Sequence, residues 1–247
     1  EEKTVRAAVA FRKAGYGRPI LIGREDRVQA TMTSLGLGIV DGIEIHNARL
    51  SGANAKYVEL LYARLQRKGY LQRDCQRMVN QDRNVFAACM VATGDAAAMV
   101  TGLTRSTSVC LDDVRHAISP AGGGIPFGLT LLLGNRGRTI FVADTLINFR
   151  PNAEELADIA IGAAHAARPL GHEPRVALLS HSVFGDPPNE RAIPMRDAVA
   201  VLDQRKVDFE YDGEMSPDVA LEPSIRALYP FCRLTGDANV LIMPGLH

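Results

Sequence analysis

The sequence predicts an α/β fold with a largely parallel sheet, and three observations carry that prediction. Stretches with apolar residues at helical spacing alternate with short apolar runs along most of the 247 residues, which is the pattern of successive β-α units. Several runs are apolar from end to end, as in strands covered on both faces. Glycine closes several of the helical stretches, at Gly15, Gly36 or Gly38, and Gly69.

Taken in order, Val5, Ala8, Val9 and Ala14 share one helical face, and residues 19–23 (PILIG) form a short strand. The next helix ends at Gly36 or Gly38, residues 43–48 (IEIHNA) are strand-like, and residues 55–68 are amphipathic through Val58, Leu61, Tyr62 and Leu65. Residues 83–93 predict a helix and residues 97–102 a strand. Pro120 and the run Gly122, Gly123, Gly124 break the pattern, which sets a boundary between a first lobe at 1–122 and a second at 123–247.

The second lobe opens with runs at 128–134 and 139–144, both suited to buried strands. After Pro151, Asn152 is placed to cap a helix, Glu154 and Glu155 sit in its positive first turn, and Leu156, Ile159, Ala160 and Ala163 form its buried stripe. Strand 175–182, helix 191–202, strand 208–214, helix 217–228 and strand 238–243 continue the alternation. The sequence has no internal repeat, low-complexity tract or flexible linker.

Composition narrows the partners. A chain of this length with 47% hydrophobic residues supports one large core or two modest ones. Lys plus Arg and Asp plus Glu both number 28, so no global field attracts nucleic acid or an anionic membrane, and an anionic ligand needs a local cluster. Cys75, Cys89, Cys110 and Cys232 have no CxxC spacing, which fits a reducing cytoplasm. No run approaches the roughly 20 apolar residues of a spanning helix, and EEKTVRAAV has no signal-peptide pattern. The absence of an initiator Met and the stop at His247 read as a segment of something longer.

In open α/β sheets, ligands gather beyond the carboxyl ends of the strands. Three hydroxyl-bearing segments fall at such exits. The first is Thr104, Arg105, Ser106, Thr107 and Ser108, with Arg115 further on. Arginine forks, hydroxyls and main-chain amides are what a phosphate needs, although the same serines also suit capping of a helix starting near Asp112. The second is Asp144, Thr145 and Asn148, equally readable as an Asx-turn. The third is Ser180, His181, Ser182 and Gly185. Neither serine has the glycine frame of a nucleophile elbow, and strand alternation turns both away from His181. Asp112–Asp113 and Glu154–Glu155 read as helix-start charges. No histidine pair has metal-ligand spacing, and no GxGxxG or P-loop opens a helix, so neither a structural metal nor bound NADP is expected here.

Residues 74–118, 143–161 (ADTLINFRPNAEELADIAI) and 175–187 (RVALLSHSVFGDP) together resemble the phosphate acetyltransferase superfamily. The runs YARLQRKGYLQRDCQR (62–77) and LIMPGLH (241–247) resemble more narrowly the acetyltransferase-like C-terminal domain of bacterial NADP-dependent malic enzymes. The resemblance implies a two-lobed, three-layer α/β/α architecture of the isocitrate dehydrogenase-like kind, with its C-terminal part absent. It also implies a ligand cleft between the lobes and a homodimer or higher homo-oligomer. Acetyltransferases of this kind carry a Ser-Arg pair and an aspartate on an Asn-Asp-Leu-Ser-Arg type segment downstream of the strand at 238–243. This sequence stops at His247, so binding without turnover is the expectation, with no catalytic residue in the segment.

The resemblance therefore implies a regulatory domain that binds acetyl-CoA as an allosteric inhibitor, with NADP and a divalent metal confined to the N-terminal malic-enzyme domains of the parent chain. Its expected ligand contacts are Arg105, Ser106, Thr107, Ser108 and Arg115, with Asn148, Ser180 and Ser182 lining the cleft. Arg64, Arg67 and Lys68 form a basic helix end where the family places an arginine toward ligand phosphates, but Leu65 stands at the matching position. Two alternatives stay open: a working phosphate acetyltransferase, and a ligand-free oligomerisation domain marked by an exposed apolar face at Leu60, Leu61 and Tyr62 or at Leu131 to Leu133.

Overall fold

The computed structural model describes residues 2–38, 40–120 and 123–246, apart from the Arg136 side chain. The chain divides into two compact units, Glu1–Ser119 and Pro120–His247. The boundary expected at Gly122 and the end at His247 lie outside the described residues.

The first unit is mainly helical around a two-stranded parallel sheet. Helix α1 (Glu2–Lys13) buries Val5, Ala8 and Val9 in a small core with Leu21 of β1 (Ile20–Ile22) and Met32 of α2 (Glu25–Ser34). Strand β1 pairs in parallel with β2 (Glu44–His46). Helix α3 (Asn54–Leu65) inserts Tyr57, Val58, Leu61 and Leu65 into a second core, and one further tight turn ends at Gly69, whose φ of 88° needs glycine. Helices α4 (Gln72–Gln81), α5 (Arg83–Ala92) and α6 (Thr107–Ala117) complete that core, with the Tyr57 and Phe86 rings edge to face at 5.1 Å.

Residues 97–102 are not a strand. Asp95 and Ala96 turn their N–H groups back to the Met90 carbonyl (2.8 and 3.2 Å), Gly102 takes a φ of 126°, and Val100 is fully exposed. With no neighbouring strand among the described residues, the apolar run has no ladder to join.

The second unit holds a five-stranded sheet in the order β3-β4-β7-β5-β6. Strands β4 (Thr139–Ala143), β5 (Arg175–Leu179), β6 (Glu210–Met215) and β7 (Val240–Ile242) are parallel, and β3 (Leu129–Leu133) runs antiparallel to β4. Alternation along β5 sends Val176 and Leu178 into a core with α7 (Ala153–Ala167) and α8 (Ile193–Arg205). Ala177 and Leu179 enter a second core with Val219 and Ala220 of α9 (Pro217–Leu221). Burial on both faces explains why β5 and β7 read as largely apolar runs, while the edge strand β6 carries Glu210, Asp212 and Glu214.

Three expectations need correction here. Residues 129–133 do form a strand, but all five are exposed, Leu133 by 77%: β3 is an edge strand outside both cores. The helix expected at 217–228 is broken into α9 and α10 (Pro223–Arg226), because Pro223 lacks an N–H and forces Glu222 into extended backbone. The helix expected at 191–202 starts at Ile193, after a short 3₁₀ turn, and runs to Arg205.

Candidate functional site

In the second unit, the exits of the parallel strands lie side by side, so segments far apart in sequence converge. Beyond β4, the Asp144 carboxylate is almost completely buried and gathers five donors. Its Oδ1 accepts the N–H groups of Gly128 (2.7 Å), Leu146 (2.7 Å) and Ile147 (3.0 Å), and its Oδ2 accepts the main-chain N–H (2.7 Å) and side-chain amide (2.6 Å) of Asn148. Burial alone would raise this carboxyl, but the main-chain donors outweigh it and hold it below the usual carboxylate range. The Asn148 amide also donates to the Pro126 carbonyl at 3.0 Å. Asn148 thus fastens the loop from inside, and its amide is spent on the fold. Gly128 is obligatory beside this knot, since a Cβ there would lie 2.9 Å from Asp144 Oδ1 and 2.8 Å from the Leu146 Cβ.

The loop continues to Asn152, whose side chain accepts the Glu155 N–H (3.0 Å) while Glu155 accepts the Asn152 N–H (2.9 Å). This reciprocal box starts α7 where the sequence placed it.

Beyond β5, Ser180 and Ser182 are buried and His181 is exposed, the alternation that separates the serines from the histidine. The Ser182 N–H donates to the Ser180 hydroxyl oxygen (3.2 Å), and the Ser182 hydroxyl donates to Glu214 Oε1 (2.8 Å). Glu214, at the end of β6, also accepts the Gly185 N–H (2.9 Å) and Arg196 from α8 through Nη2 (2.9 Å) and Nε (3.1 Å). Desolvation pushes the Glu214 carboxyl up, yet Arg196 and Ser182 more than compensate and hold it below the usual range. The Ser180 N–H meets the Met215 carbonyl (2.9 Å) and the Phe184 N–H meets that of Glu214 (2.8 Å), so the loop is sewn to β6 along its length. Beyond β7, the Met243 N–H donates to the Ala143 carbonyl.

In the first unit, the arginine and hydroxyl segment is an exposed loop leading straight into α6. Arg105 is engaged with carboxylates: its Nη1 donates to Asp82 Oδ2 (2.6 Å) and to Asp113 Oδ2 (2.7 Å). Ser106 occupies the cap position, but its hydroxyl lies 3.2 Å from that of Ser108 and does not cap; Thr107 is the first helical residue. The helix therefore begins at Thr107, well before the expected start near Asp112. Asp113 is correspondingly an internal residue paired with Arg105 and not a helix-start charge. Arg115 is exposed in the last turn, about 12 Å of helix rise from Thr107, so the two ends of the expected phosphate cluster do not converge on one point. Nearby, a groove of 610 Å³ is lined by Lys68, Tyr70, Arg77, Asp82, Asp113 and His116 among others. Arg64, from the basic helix end, is turned to the His116 carbonyl (3.2 Å) and the Ser119 hydroxyl (2.7 Å).

Sequence reading missed Glu214 and Arg196 and the part played by Asp82. The one sequence hint of Glu214 is an acidic residue closing a strand, and nothing local identifies an arginine on the preceding helix as its partner. The chemistry of these clusters is positional. Asp144 and Glu214 are ionised, and their oxygens are occupied by internal donors, so they fix loop geometry and do not present a free base.

A family profile described as Phosphate acetyl/butaryl transferase matches residues 1–247. The chain is 52% identical over 248 residues to an NADP-dependent malic enzyme of Rhizobium meliloti, covering all of this chain and 32% of that protein. It is 46% identical over 258 residues to a probable NADP-dependent malic enzyme of Rickettsia prowazekii, covering all of this chain and 34% of that protein. Among solved structures, a phosphotransacetylase from Streptococcus pyogenes superimposes with a TM-score of 0.91 at 29% identity, over all of this chain and 75% of that one. The chain thus spans about a third of the length of these malic enzymes.

Proposed function

The chain belongs to the phosphate acetyl/butaryl transferase family, and from that premise we propose that it is the acetyl-CoA-binding regulatory part of a larger NADP-dependent malic enzyme. The observation that carries this reading is the 52% identity to such an enzyme across the whole chain, against 29% to the phosphotransacetylase of nearly identical fold. The strand-exit carboxylates agree with it. Asp144 and Glu214 are consumed in holding loops, which suits a scaffold that binds a thioester nucleotide and does not turn it over.

In this reading, Arg105, Arg115 and the hydroxyls of Ser106, Thr107 and Ser108 meet phosphate or pantetheine oxygens. Ser180 offers its hydroxyl at the strand exits, while Asn148 and Ser182 hold the loops that shape them. Acetyl-CoA bound here lowers malate oxidation elsewhere in the parent chain, and a coupling of about 1–3 kcal/mol gives a several-fold to hundredfold effect. NADP and a divalent metal belong to the parent's other domains. The reading includes a cytoplasmic setting, supported by four unpaired cysteines. Among the described residues, no helix is long and apolar enough to cross a membrane.

Malate oxidation by the full-length protein, with and without acetyl-CoA and then after removal of this chain, tests the proposal. Inhibition that disappears with the chain supports it; inhibition that survives removal overturns it. Acetyl phosphate formation by the full-length protein would instead establish a working acetyltransferase.

One observation favours an additional role in self-association. Leu131, Leu132 and Leu133 project from β3 with 43%, 49% and 77% exposure, more apolar surface than an isolated edge strand ordinarily shows. The helix face at Leu60, Leu61 and Tyr62 does not contribute in the same way, since Leu61 is completely buried in the core.

A further inference from the structure

We propose that Arg105 is a latch, held closed by the Asp82–Asp113 pair and opened by a ligand bearing phosphoryl groups, so that the acidic pair sets the affinity of the 101–106 loop and the first turn of α6 for that ligand. The inference rests on the reading of this loop as a phosphate-contacting segment and adds how it is regulated.

The geometry is unusual for an arginine in a hydroxyl-rich loop. A single nitrogen, Nη1, serves both Asp82 Oδ2 at 2.6 Å and Asp113 Oδ2 at 2.7 Å. Two carboxylates thereby share one guanidinium and stand within about 5 Å of each other across it. Asp82 belongs to the start of α5, where its Oδ1 accepts the N–H groups of Asn84 (2.9 Å) and Val85 (3.3 Å). Asp113 belongs to α6 and also accepts the Asn84 amide at 2.9 Å. From the same segment as Arg105, the Thr101 hydroxyl also donates to the Asn84 amide oxygen (2.7 Å), so Arg105 is the charged link between segment and cluster, the Asn84–Asp113 contact joins α5 to α6, and the Asn84 and Val85 N–H groups cap α5 on Asp82.

The cluster is accessible. Side-chain exposure is 39% for Arg105, 23% for Asp82 and 13% for Asp113, so the arginine can leave without unpacking the core that lies beneath α5. Its departure leaves two carboxylates that repel each other, still held by the Asn84 groups and the Val85 N–H but without the guanidinium between them. A neutral or weakly polar ligand offers the guanidinium nothing comparable, whereas a phosphoryl group accepts the planar fork in two hydrogen bonds. The hydroxyls of Ser106, Thr107 and Ser108 follow Arg105 directly and supply further donors to the same group. The latch thus discriminates by charge, and removing either acidic partner should halve the charge that holds Arg105 and so make it easier for the ligand to draw away.

The test is calorimetric titration of acetyl-CoA, and separately of inorganic pyrophosphate, into the 247-residue chain and its Asp113→Asn, Arg105→Ala and doubly substituted forms. Asp113→Asn should bind at least about fivefold more tightly than the parent, Arg105→Ala should bind more weakly, and the double variant should lose the gain entirely. Should Asp113→Asn fail to fold, Asp82→Asn replaces it, because asparagine preserves the helix cap while removing the charge. No gain in the Asn variant, or a gain that persists without Arg105, overturns the latch. If acetyl-CoA binds none of the forms, the regulatory reading itself fails and pyrophosphate alone decides: the same gain upholds the latch, and its absence overturns it.

Discussion

The hydroxyl of Ser182 donates to Glu214 Oε1 at 2.8 Å in a setting where neither residue has any solvent exposure. Two segments more than 30 residues apart are joined there, and Arg196 completes the group from the helix between them. Ser182→Ala removes one donor but leaves Gly185 and Arg196 on the carboxylate, so a loss of about 1 kcal/mol is expected. Glu214→Gln removes the charge that four hydrogen bonds converge on and should cost about 3 kcal/mol or more. Urea denaturation of the two variants checks the order. Equal losses would show that the charge contributes little.

Acid should undo the strand-exit loops. Asp144 and Glu214 both have folded carboxyl values below the usual range, because internal donors outweigh the effect of burial. A depressed carboxyl stabilises the fold fully above its unfolded value, near pH 4, and loses that contribution as pH falls through the lower folded value. Unfolding free energy should therefore begin to fall near the unfolded carboxyl value, about pH 4, and keep falling as pH drops further. In Asp144→Asn the fall should be shallower, from a lower starting stability at neutral pH. A variant that tracks the parent across the range would rule out Asp144 as a source of acid sensitivity.

The start of α7 is a separable contribution. Asn152→Ala deletes the acceptor for the Glu155 N–H and should lower stability by about 1 kcal/mol, while Asn152→Asp should be close to neutral. Thermal unfolding of both proteins distinguishes loss of the cap from general intolerance at this position.

Arg115 lies exposed in the last turn of α6, so its replacement should leave the fold intact. If it meets a phosphate of acetyl-CoA, Arg115→Ala should weaken binding by about tenfold, the effect of losing one charge-assisted contact of roughly 1.5 kcal/mol. Calorimetry showing unchanged affinity would remove Arg115 from the ligand site.

How much of this could be read in the sequence depended on the range of the interactions. Helix α7 was legible because its cap, acidic first turn and buried stripe all fall within a few residues of one another. The inner parallel strands β4, β5 and β7 were legible because burial makes them largely apolar, whereas the edge strand β6 carries Glu210, Asp212 and Glu214. Helix α4 escaped notice: only Cys75 and Val79 of its ten residues are buried, too sparse a stripe to stand out. The run at 97–102 looked like a strand because apolar character alone does not say whether a neighbour exists to pair with. The exposure of β3 was equally hidden, since an edge position is a property of the sheet and not of the segment. At the candidate site, the hydroxyl-bearing exits were identifiable as residues, but their partners were not. Asp82 precedes Arg105 by 23 residues, and Glu214 follows Ser182 by 32, distances at which no local pattern connects a side chain to its counter-ion.

Strand β7 comes last of the five strands in sequence yet occupies the middle of the sheet, bonded to β4 on one side and β5 on the other. As the polypeptide emerges from a ribosome, β4 and β5 must wait beside an empty slot until Val240 to Ile242 are delivered. The pairs β3–β4 and β5–β6 do not involve β7, but the five-stranded sheet is complete only when β7 joins them. Until then, the facing edges of β4 and β5 keep main-chain N–H and C=O groups unpaired beside apolar side chains, which is the interval in which a chaperone would have most to shield.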